Sequence, residues 1–399
     1  MIDILLPILL GILAGIITGL VPGIHINLVA TLALVHSFFL LEYVSLQELI
    51  IFLLVMGIIH SFIDFIPSIL FGVPSSDTAL SVLPGHRLVL EGRGYEAIFL
   101  SSLGSLLGML FSIFIIITLF SYLESIYSMS FEYIPYVLFF VMILMISLEP
   151  TSTKKFWALI IVLFSGSLGM IALNSYHLQE SLLVLFSGLF GISSLLFSLK
   201  DSSSIPKQHF KKETTCSWNL IKPLFTAGVC SSICSIAPGL GSAQAATIAS
   251  LFMRTLSAEI FIVILSSINT INFALSILSL YVLEKARNGV VVVISQLHSI
   301  TVEEMILYVI IMLLCSIVGF FITILLGKQC IYFFNYCNVK KISIGIIIFI
   351  IGLVFFMTSW IGLLYLLLST SIGLLALELE VKRIHLMSVL LVPVILVLL

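Results

Sequence analysis

Charge is the property that this sequence has least of. Only 9% of its 399 residues are Asp, Glu, Lys or Arg, while 61% are hydrophobic; a soluble domain carries about 25% charged residues. Because so few charges cannot cover a water-facing surface, most of the surface is expected to face lipid. The net charge of −2 also provides no basic face for nucleic acid. The sequence therefore predicts an all-α, polytopic protein of the cell membrane, surrounded by lipid and without a nucleic-acid partner.

Cysteine patterns and an early basic residue are absent as well. The six cysteines show neither a disulfide framework nor a paired zinc-ligand spacing; they are Cys216, Cys230, Cys234, Cys315, Cys330 and Cys337. No metal or organic cofactor is therefore predicted. The first Lys or Arg of the chain is Arg87, whereas a cleaved signal peptide needs a basic segment before its apolar one. The opening apolar stretch is expected to remain as a membrane span.

Long apolar stretches are what the sequence has in abundance. A membrane-spanning helix needs about 20 mostly apolar residues. Stretches of this kind lie at 2–20, 24–41, 49–83, 96–120, 134–148, 156–173, 180–199, 222–237, 240–256, 259–283, 303–326, 342–357, 360–377 and 384–399. Two of them, 49–83 and 259–283, are expected to be interrupted. The pattern predicts about 10–14 transmembrane or re-entrant helices.

A polar, lysine-rich linker divides the chain near its midpoint, and the two halves resemble each other. Residues 19–31 align with 235–247, so that one Pro-Gly pair matches another, and residues 64–70 align with 272–278. The matches occur in the same order in both halves. The predicted units are therefore membrane repeat 1 at 1–200, a cytoplasmic linker at 201–221 and membrane repeat 2 at 222–399.

Basic residues fall in groups separated by two predicted spans, which places the groups on one side of the membrane under the positive-inside rule. The groups are Arg87 and Arg93, Lys154 and Lys155, the linker lysines, Lys328 with Lys340 and Lys341, and Lys382 with Arg383. The span at 96–120 then starts inside, and its counterpart at 303–326 starts outside. This predicts two inverted-topology repeats, as in secondary transporters, in which one half rocks against the other. Lys285 and Arg287 are exceptions, since this scheme places them outside.

The two Pro-Gly pairs interrupt apolar runs. Proline removes a backbone donor and glycine permits a sharp change of direction, and in lipid the freed backbone groups need protein or a water-lined cavity. The helix that restarts after each break points its positive N-terminus at that place. A site for a small anion is predicted there, with the candidate residues Pro22, Gly23, His25, Asn27, Ser75, Ser76, Pro238, Gly239, Gly241, Ser242 and Gln244. The alternative is that each pair is a simple kink or turn.

A further interruption at 66–78 contains two prolines, a glycine, hydroxyls and a carboxylate, a composition that favours a re-entrant hairpin. Ionisable residues at membrane depth cost about 2.5–3.5 kcal/mol on insertion scales, so those nearby are candidates for a function. The candidates for cation coupling are His60, Asp64, Asp77, Asn269 and Asn272. Oxygen ligands suit a sodium ion, and a desolvated Asp or His suits a proton. The alternative is that His60 and Asp64 pair with each other for a structural purpose.

Two other patterns are interpreted as structural. A small-residue helix face suited to close helix packing is formed by Ser101, Ser102, Gly104, Ser105 and Gly108. Most glutamates lie at the ends of predicted spans, Glu149 among them, and these are expected to be solvated. Neither pattern is assigned a role in binding.

The motifs resemble those of a known family, the large (TctA-like) permease subunits of the tripartite tricarboxylate transporters. The resemblance covers most of residues 11–110 and 225–255. The motifs that carry it are the string around Pro22-Gly23, Pro74-Ser75-Ser76 leading to Leu83-Pro84-Gly85-His86-Arg87, Gly92-Arg93-Gly94-Tyr95-Glu96-Ala97 followed by Gly104-Ser105-Leu106-Leu107-Gly108, and Pro238-Gly239-Leu240-Gly241-Ser242.

The resemblance implies cation-coupled uptake of a di- or tricarboxylate such as citrate. It also implies a small membrane subunit and an extracytoplasmic binding protein as partners. The sequence departs from the family pattern, because His25 and Asn27 stand where small residues are expected and Pro84-Gly85-His86 stands where Asp-Gly-Tyr is expected. These departures, with a chain shorter than typical relatives, predict a divergent member and leave open whether it works without those partners.

Reasoning from the residues leaves three classes of function open. The preferred one is a permease that moves a small anion by alternating access and is not an enzyme. The second is a translocase of lipid-linked (polyprenyl) phosphate, in which Arg87 and Arg93 would bind the phosphate. The third is an intramembrane enzyme, either an aspartyl enzyme with Asp64 and Asp77 or a metalloenzyme. The metalloenzyme would use His25, His60 and Asp64.

Overall fold

The computed structural model describes residues 2–21, 26–71, 82–175, 178, 181–200, 206–210, 220–236, 242–252, 257–336 and 339–399. Its α-helices are α1 (Ile2–Leu20), α2 (Ile26–Val35), α3 (Ser37–Leu40), α4 (Leu46–Ile63), α5 (Phe65–Phe71), α6 (Val82–Leu90), α7 (Gly94–Leu119), α8 (Leu123–Ser130), α9 (Ile134–Ser147), α10 (Ser152–Leu173), α11 (Ser181–Phe186), α12 (Ser193–Lys200), α13 (Ile221–Ile236), α14 (Ser242–Phe252), α15 (Ala258–Leu283), α16 (Gly289–Leu297), α17 (Val302–Tyr336), α18 (Val339–Glu378) and α19 (Ser388–Leu398). A π-helix covers Ser187–Ile192, and 3₁₀ turns cover Phe131–Tyr133 and Arg383–Met387. Seven helical stretches in the described ranges are long and apolar enough to cross a membrane. The predicted all-α polytopic class is confirmed.

Both Pro-Gly motifs fall between helices, as the sequence predicts. α1 ends at Leu20 and α2 begins at Ile26, while α13 ends at Ile236 and α14 begins at Ser242. The motif residues themselves, within 22–25 and 237–241, lie outside the described residues. The breaks therefore separate helices that belong to otherwise apolar segments.

The two expected interruptions elsewhere turn out differently. α15 is one continuous helix capped by Ser257, so the expectation that 259–283 is interrupted is wrong; this stretch contains neither proline nor glycine. α4 and α5 are separated only by Asp64, whose N–H still donates to His60 O. α5 then continues to Phe71 in spite of Pro67, because a proline in the first turn of a helix removes a donor that has no intrahelical partner there. The rest of the predicted re-entrant segment, 72–81, lies outside the described ranges.

α18 folds back on itself at Ser359, which has φ 55° and ψ −155°. A Cβ added at Gly362 would lie 3.1 Å from the Val354 side chain, whereas eight residues of straight helix rise about 12 Å. The predicted boundary between the spans 342–357 and 360–377 is therefore confirmed. α18 therefore consists of two antiparallel arms, one before and one after Ser359.

Contacts between helix ends show which helix ends lie on the same side of the membrane. Gln208 of the linker accepts the Gly94 N–H at the start of α7 (2.9 Å), and its own N–H donates to Asn335 near the end of α17 (2.8 Å). At the same end, Arg93 pairs with Glu259 at the start of α15 (2.6 Å). α7 and α17 therefore run in opposite directions, as the inverted scheme predicts for this pair. The positive-inside rule makes this basic end the cytoplasmic one.

The helices of the two halves pack across each other. α7 of the first half packs along α15 of the second, where Ser267 Oγ donates to Gly104 O and Thr270 Oγ1 donates to Ser105 O, each at 2.8 Å. α4 packs on α17, α10 on α19, and the π-helix on α18, again across the linker. The packing role predicted for the small-residue face of α7 is confirmed.

These contacts divide the helices into two groups, each with helices from both halves. The core group consists of α1, α4, α5, α7, α13, α14, α15 and α17, and the peripheral group consists of α9, α10, α11, α12, α18, α19 and the π-helix. The principal contacts between the groups are those of α5 with α18 and of α14 with the Arg383–Met387 turn. The linker thus separates the two halves along the sequence, but the two helix groups do not correspond to these halves. That the halves are two structural repeats stays a prediction.

Candidate functional site

The most enclosed helices lie at the centre of the core group. In the most apolar window of α4–α5, 94% of the residues are buried, and in that of α15 83% are, against 17–44% for the other candidate spans of the described ranges. A polar side chain on these two helices is therefore surrounded by protein rather than lipid, and burying it is costly unless it finds a partner. Each predicted site residue whose side chain is described lies on these helices or contacts them.

The first break lies deep inside this part of the protein. α1 runs parallel to α4, since Gly15 lies against Ile59 and Gly19 against Ile63. The end of α1 is therefore level with Asp64, about three-quarters of the way along the Leu46–Leu70 span of 25 residues. At 1.5 Å per residue that span is about 37 Å long. α1 thus ends within the membrane and not at its surface.

Three side chains form a polar cluster beside this break. His60 Nδ1 lies 3.0 Å from Thr18 Oγ1, and His60 Nε2 lies 3.9 Å from Asp64 Oδ2. All three residues are only 5–6% exposed. Thr18 Oγ1 donates to Gly15 O (3.3 Å), so its lone pair is available to accept a hydrogen bond from His60 Nδ1–H. Asp64 and His60 are neighbours on the same helical face, while the Thr18–His60 contact adds a polar contact to the packing of α1 on α4.

The geometry of this cluster suits an exchangeable proton. When His60 donates Nδ1–H to Thr18, its neutral ring presents a lone pair at Nε2 to the carboxylate of Asp64, 3.9 Å away. Two acceptors then face each other across a distance longer than a hydrogen bond. A proton on either group, or a cation between them, removes the repulsion.

A second polar cluster lies beside the second break. Ser242, the first residue of α14, donates to Asn269 Oδ1 (3.4 Å) and accepts from Asn272 Nδ2 (3.3 Å). Asn272 Oδ1 is buried and has no hydrogen-bond partner among the described residues. A buried acceptor without a partner costs about 1–3 kcal/mol. A ligand that donates a hydrogen bond, or a cation, would satisfy this oxygen at the positive end of α14.

Asn269 and Asn272 belong to a polar row along one face of α15. The row continues with Ser276 and Ser279 at helical spacing, and both serines are fully buried. Ser279 Oγ donates to Ser235 O near the end of α13 (3.3 Å). The row therefore contacts the helix before the break through Ser279 and the helix after the break through Asn269 and Asn272.

The two clusters approach each other where α4 crosses α15. The ring of Phe273 packs directly on Gly57 of α4. Asn272 precedes Phe273, and His60 is one turn beyond Gly57, about 5 Å along the helix axis. The polar groups of both halves are thus brought to one region of the core group.

The remaining predicted site residues are not placed by the structure. Those outside the described residues are Pro22, Gly23, His25, Ser75, Ser76, Asp77, Pro238, Gly239 and Gly241. Asn27 lies in α2 and Gln244 in α14, the helices that restart after the breaks, but their side chains also fall outside the described part of the chain. The roles assigned to all these residues stay predictions.

The arginines considered for phosphate binding are engaged with carboxylates near the cytoplasmic end. Arg87 is exposed and lies 3.2 Å from Glu91, and Arg93 contacts both Glu96 (2.8 Å) and Glu259 (2.6 Å). The two carboxylates raise the pKa of Arg93. This geometry gives no support to a re-entrant phosphate site. Within the described ranges, no group of three His, Cys, Asp or Glu side chains is placed to hold a metal.

Sequence reasoning missed Thr18 and was wrong about Glu149. Glu149 is buried, and its Oε1 lies 2.8 Å from Nε2 of His385, so the expectation that it is solvated is wrong. Arg383 is buried beside this pair and donates to Leu189 O in the π-helix (2.8 Å). A π-helix changes the backbone hydrogen-bond pattern and so leaves carbonyls for side-chain donors. No local signal marks these contacts, because they join distant parts of the chain.

Comparison with known proteins decides the family. The chain matches the model described as the Tripartite tricarboxylate transporter TctA family over residues 5–388. The chain belongs to this family. A relative of this TctA-family permease, an uncharacterized protein of Methanocaldococcus jannaschii, is 34% identical over 385 residues, which cover 94% of this chain and 93% of that protein. No solved structure matches the chain.

Membership of the TctA family confirms the resemblance seen in the motifs. The protein is a multi-pass tricarboxylate-transporter permease of the cell membrane, and it is not an enzyme. Its family implies membrane and binding-protein partners in general. The relative from Methanocaldococcus jannaschii is similar in length to this sequence.

Proposed function

We propose that this permease moves a di- or tricarboxylate across the membrane by alternating access, coupled to a proton or a sodium ion. The observation that carries the proposal is the approach of two buried polar clusters at the crossing of α4 and α15, each beside a helix break. The start of α14 offers Ser242 and a positive helix end to a carboxylate. The His60–Asp64 pair offers a place for the coupling cation. The residues from Pro22 to Asn27 and from Pro238 to Gln244 complete the proposed substrate site.

The proposed movement is between the core group and the peripheral group. Rocking of one half of the chain against the other would have to separate α7 from α15 and α4 from α17, which are extensive contacts. The core and peripheral groups contact each other less extensively, and α5 and α14 make the principal contacts between them. Both of these helices adjoin the polar clusters. A shift at that boundary would therefore alter access to the clusters directly.

The first cluster supports a proton as the coupling ion, because a proton held by His60 or Asp64 would relieve the repulsion between two acceptors 3.9 Å apart. Sodium is the second candidate. Asn272 Oδ1 is a buried oxygen without a hydrogen-bond partner in the described ranges, and oxygen atoms are the ligands that hard cations prefer. The two ions make different predictions for uptake driven by a pH gradient and by a sodium gradient.

Uptake into proteoliposomes tests the proposal. The purified permease is reconstituted alone, and labelled citrate and succinate are supplied with an imposed sodium gradient, a pH gradient or neither. Asp64→Asn keeps the size of the side chain but removes its charge and its exchangeable proton. We expect it to reduce gradient-driven uptake at least about tenfold, since an interaction with a charged group is worth about 1.5–3 kcal/mol.

The matched control is Glu124→Gln, which removes a carboxylate from an exposed position on α8. It is expected to leave uptake unchanged. Equal uptake by Asp64→Asn and wild type would remove Asp64 from the coupling site. Thermal stabilisation of the detergent-solubilised protein by citrate reports binding even if transport depends on partner subunits. If neither uptake nor stabilisation occurs with any carboxylate, the proposed substrate class is wrong.

A further inference from the structure

A groove opens at the cytoplasmic end of the protein, where the linker meets α7 and α17. Its volume is about 970 Å³, and it is lined by Tyr95, Phe210, Ile324, Lys328, Gln329 and Tyr332. Tyr95 lies at the start of α7, and Ile324 to Tyr332 lie toward the end of α17. Phe210 follows Gln208, the linker residue that hydrogen-bonds both α7 and α17. The groove therefore adjoins the junction that holds the linker against both halves of the chain.

The groove lies at the level of the membrane–water interface. α17 has no charged residue between Glu304 and Lys328. At 1.5 Å per residue this apolar stretch is about 36 Å long, slightly more than the hydrocarbon core of a bilayer, which is about 30 Å thick. Lys328 is thus placed where the hydrocarbon ends on the cytoplasmic side. The tyrosines of the groove fit the same level, since tyrosine is enriched at membrane interfaces.

Lys328 supplies the groove with a positive charge. Its side chain is exposed, and its Nζ lies 5.9 Å from the centre of the Tyr95 ring. That ring packs edge-on against Phe210, with 5.8 Å between the ring centres. Arg87 and Arg93 at the same end are paired with carboxylates, whereas Lys328 pairs with none in the described part of the chain. The charge of Lys328 is therefore available to an anion in the groove.

An apolar surface leads from the groove toward the middle of the membrane. Leu325 and Phe321 are 58% and 64% exposed, and they precede Lys328 at the spacing of one helix face. Ile324 continues this surface into the groove. A cation at the interface is thus joined to an apolar surface at membrane depth, which matches the charged head and the acyl chain of a phospholipid. A small soluble anion would make no use of the apolar part.

We propose that this groove binds an anionic phospholipid of the cytoplasmic leaflet, with the phosphate beside Lys328 and an acyl chain along Leu325 and Phe321. The cytoplasmic leaflet carries anionic lipids, and basic pockets between membrane helices on that side bind their headgroups. The amide of Gln329 adds a hydrogen-bond donor. A lipid in this position contacts α7, the linker and α17 together, so it stabilises their junction. The inference does not depend on which substrate the permease transports.

Thermal unfolding of the delipidated full-length protein in a neutral detergent tests the inference. Phosphatidylglycerol, phosphatidylcholine or inorganic phosphate is added at fixed ionic strength, and the melting temperature is followed. Phosphatidylglycerol is expected to stabilise the wild type at a lower mole fraction than phosphatidylcholine. Lys328→Gln is expected to raise the half-saturating mole fraction of phosphatidylglycerol about fivefold, the effect of one lysine at a membrane surface. Lys328→Arg keeps the charge and is expected to keep the preference.

Lys285→Gln is the matched control. Lys285 is also an exposed lysine beside a tyrosine, with its Nζ 4.5 Å from the centre of the Tyr127 ring. It follows the end of α15 that is opposite to the Arg93–Glu259 pair, and is therefore on the outer side. Its replacement is expected to leave the response to phosphatidylglycerol unchanged.

Three results would overturn the inference. Equal stabilisation by the two lipids would show that the headgroup charge is not recognised. A preference for phosphatidylglycerol that survives in Lys328→Gln would place the lipid elsewhere. Equal, Lys328-dependent stabilisation by inorganic phosphate would make the groove a site for a soluble anion. The melting temperature without lipid shows whether each variant is folded. Should Lys328→Gln not fold, Leu325→Gln decides, since an unchanged response to phosphatidylglycerol there contradicts the proposed path of the acyl chain.

Discussion

Replacing Gly104 with alanine tests the close packing of α7 on α15 that joins the two halves of the chain. A Cβ built on Gly104 would lie 2.6 Å from Val263 O and 2.9 Å from Val263 Cα. Both are backbone atoms, so neither can rotate away. Non-bonded carbon atoms in good contact are about 3.5–4.0 Å apart. The two helices must therefore separate by roughly 0.5–1 Å to admit the methyl group.

The expected cost follows from three contributions. Overpacking of this kind costs about 1–3 kcal/mol. Separation also weakens the hydrogen bond from Ser267 Oγ to Gly104 O (2.8 Å), and such interhelical bonds are worth about 0.6 kcal/mol in a membrane protein. The higher helix propensity of alanine offsets about 0.8–1.0 kcal/mol of this. The net loss of stability is expected to be about 1–2 kcal/mol.

Gly352 of α18 provides the matched control, since a Cβ there would meet no atom within 4 Å. Gly352→Ala keeps the gain in propensity without the clash, and it is expected to be neutral or stabilising by up to about 1 kcal/mol. Thermal unfolding in one detergent at one scan rate compares the variants, because apparent melting temperatures of irreversible unfolding depend on scan rate. If Gly104→Ala melts at the same temperature as Gly352→Ala, the close contact between α7 and α15 is refuted.

Two further predictions concern movement and pH. Ser165 on α10 and Ser388 on α19 have hydroxyls 2.5 Å apart, so a Ser165→Cys/Ser388→Cys pair is expected to form a disulfide between the two halves of the chain, within the peripheral group. If the core and peripheral groups move as units, uptake should continue after oxidation. Loss of uptake on oxidation would instead favour rocking of one half against the other. Burial lowers the pKa of His86, so the folded protein binds fewer protons at this site than the unfolded chain and loses stability as the pH falls below about 6.5. His86→Gln should reduce the drop in melting temperature between about pH 7.5 and pH 5.5 by about 1–3 °C; an equal drop in variant and wild type would contradict this.

The sequence by itself determined the class of the protein and the places where its helices end at the two breaks. So low a charge leaves lipid as the solvent for most of the surface, and a Pro-Gly pair ends a helix through local backbone chemistry. For these reasons α1 and α13 end where the sequence predicts. The neighbouring positions of His60 and Asp64 also followed from local spacing. The prediction of an interruption in 259–283 was wrong, because that stretch has no proline or glycine to break the helix.

Only the tertiary structure decided which helices meet and therefore where the site lies. Thr18 and His60 are 42 residues apart, and Glu149 and His385 are 236 apart; spacing along one helix contains no information about such contacts. In lipid, apolar helices gain little from merely covering one another, so close-packing small residues and buried polar groups select the partners. That selection paired α7 with α15 and α4 with α17 across the linker. It brought two polar clusters to one crossing, which the order of residues could not show.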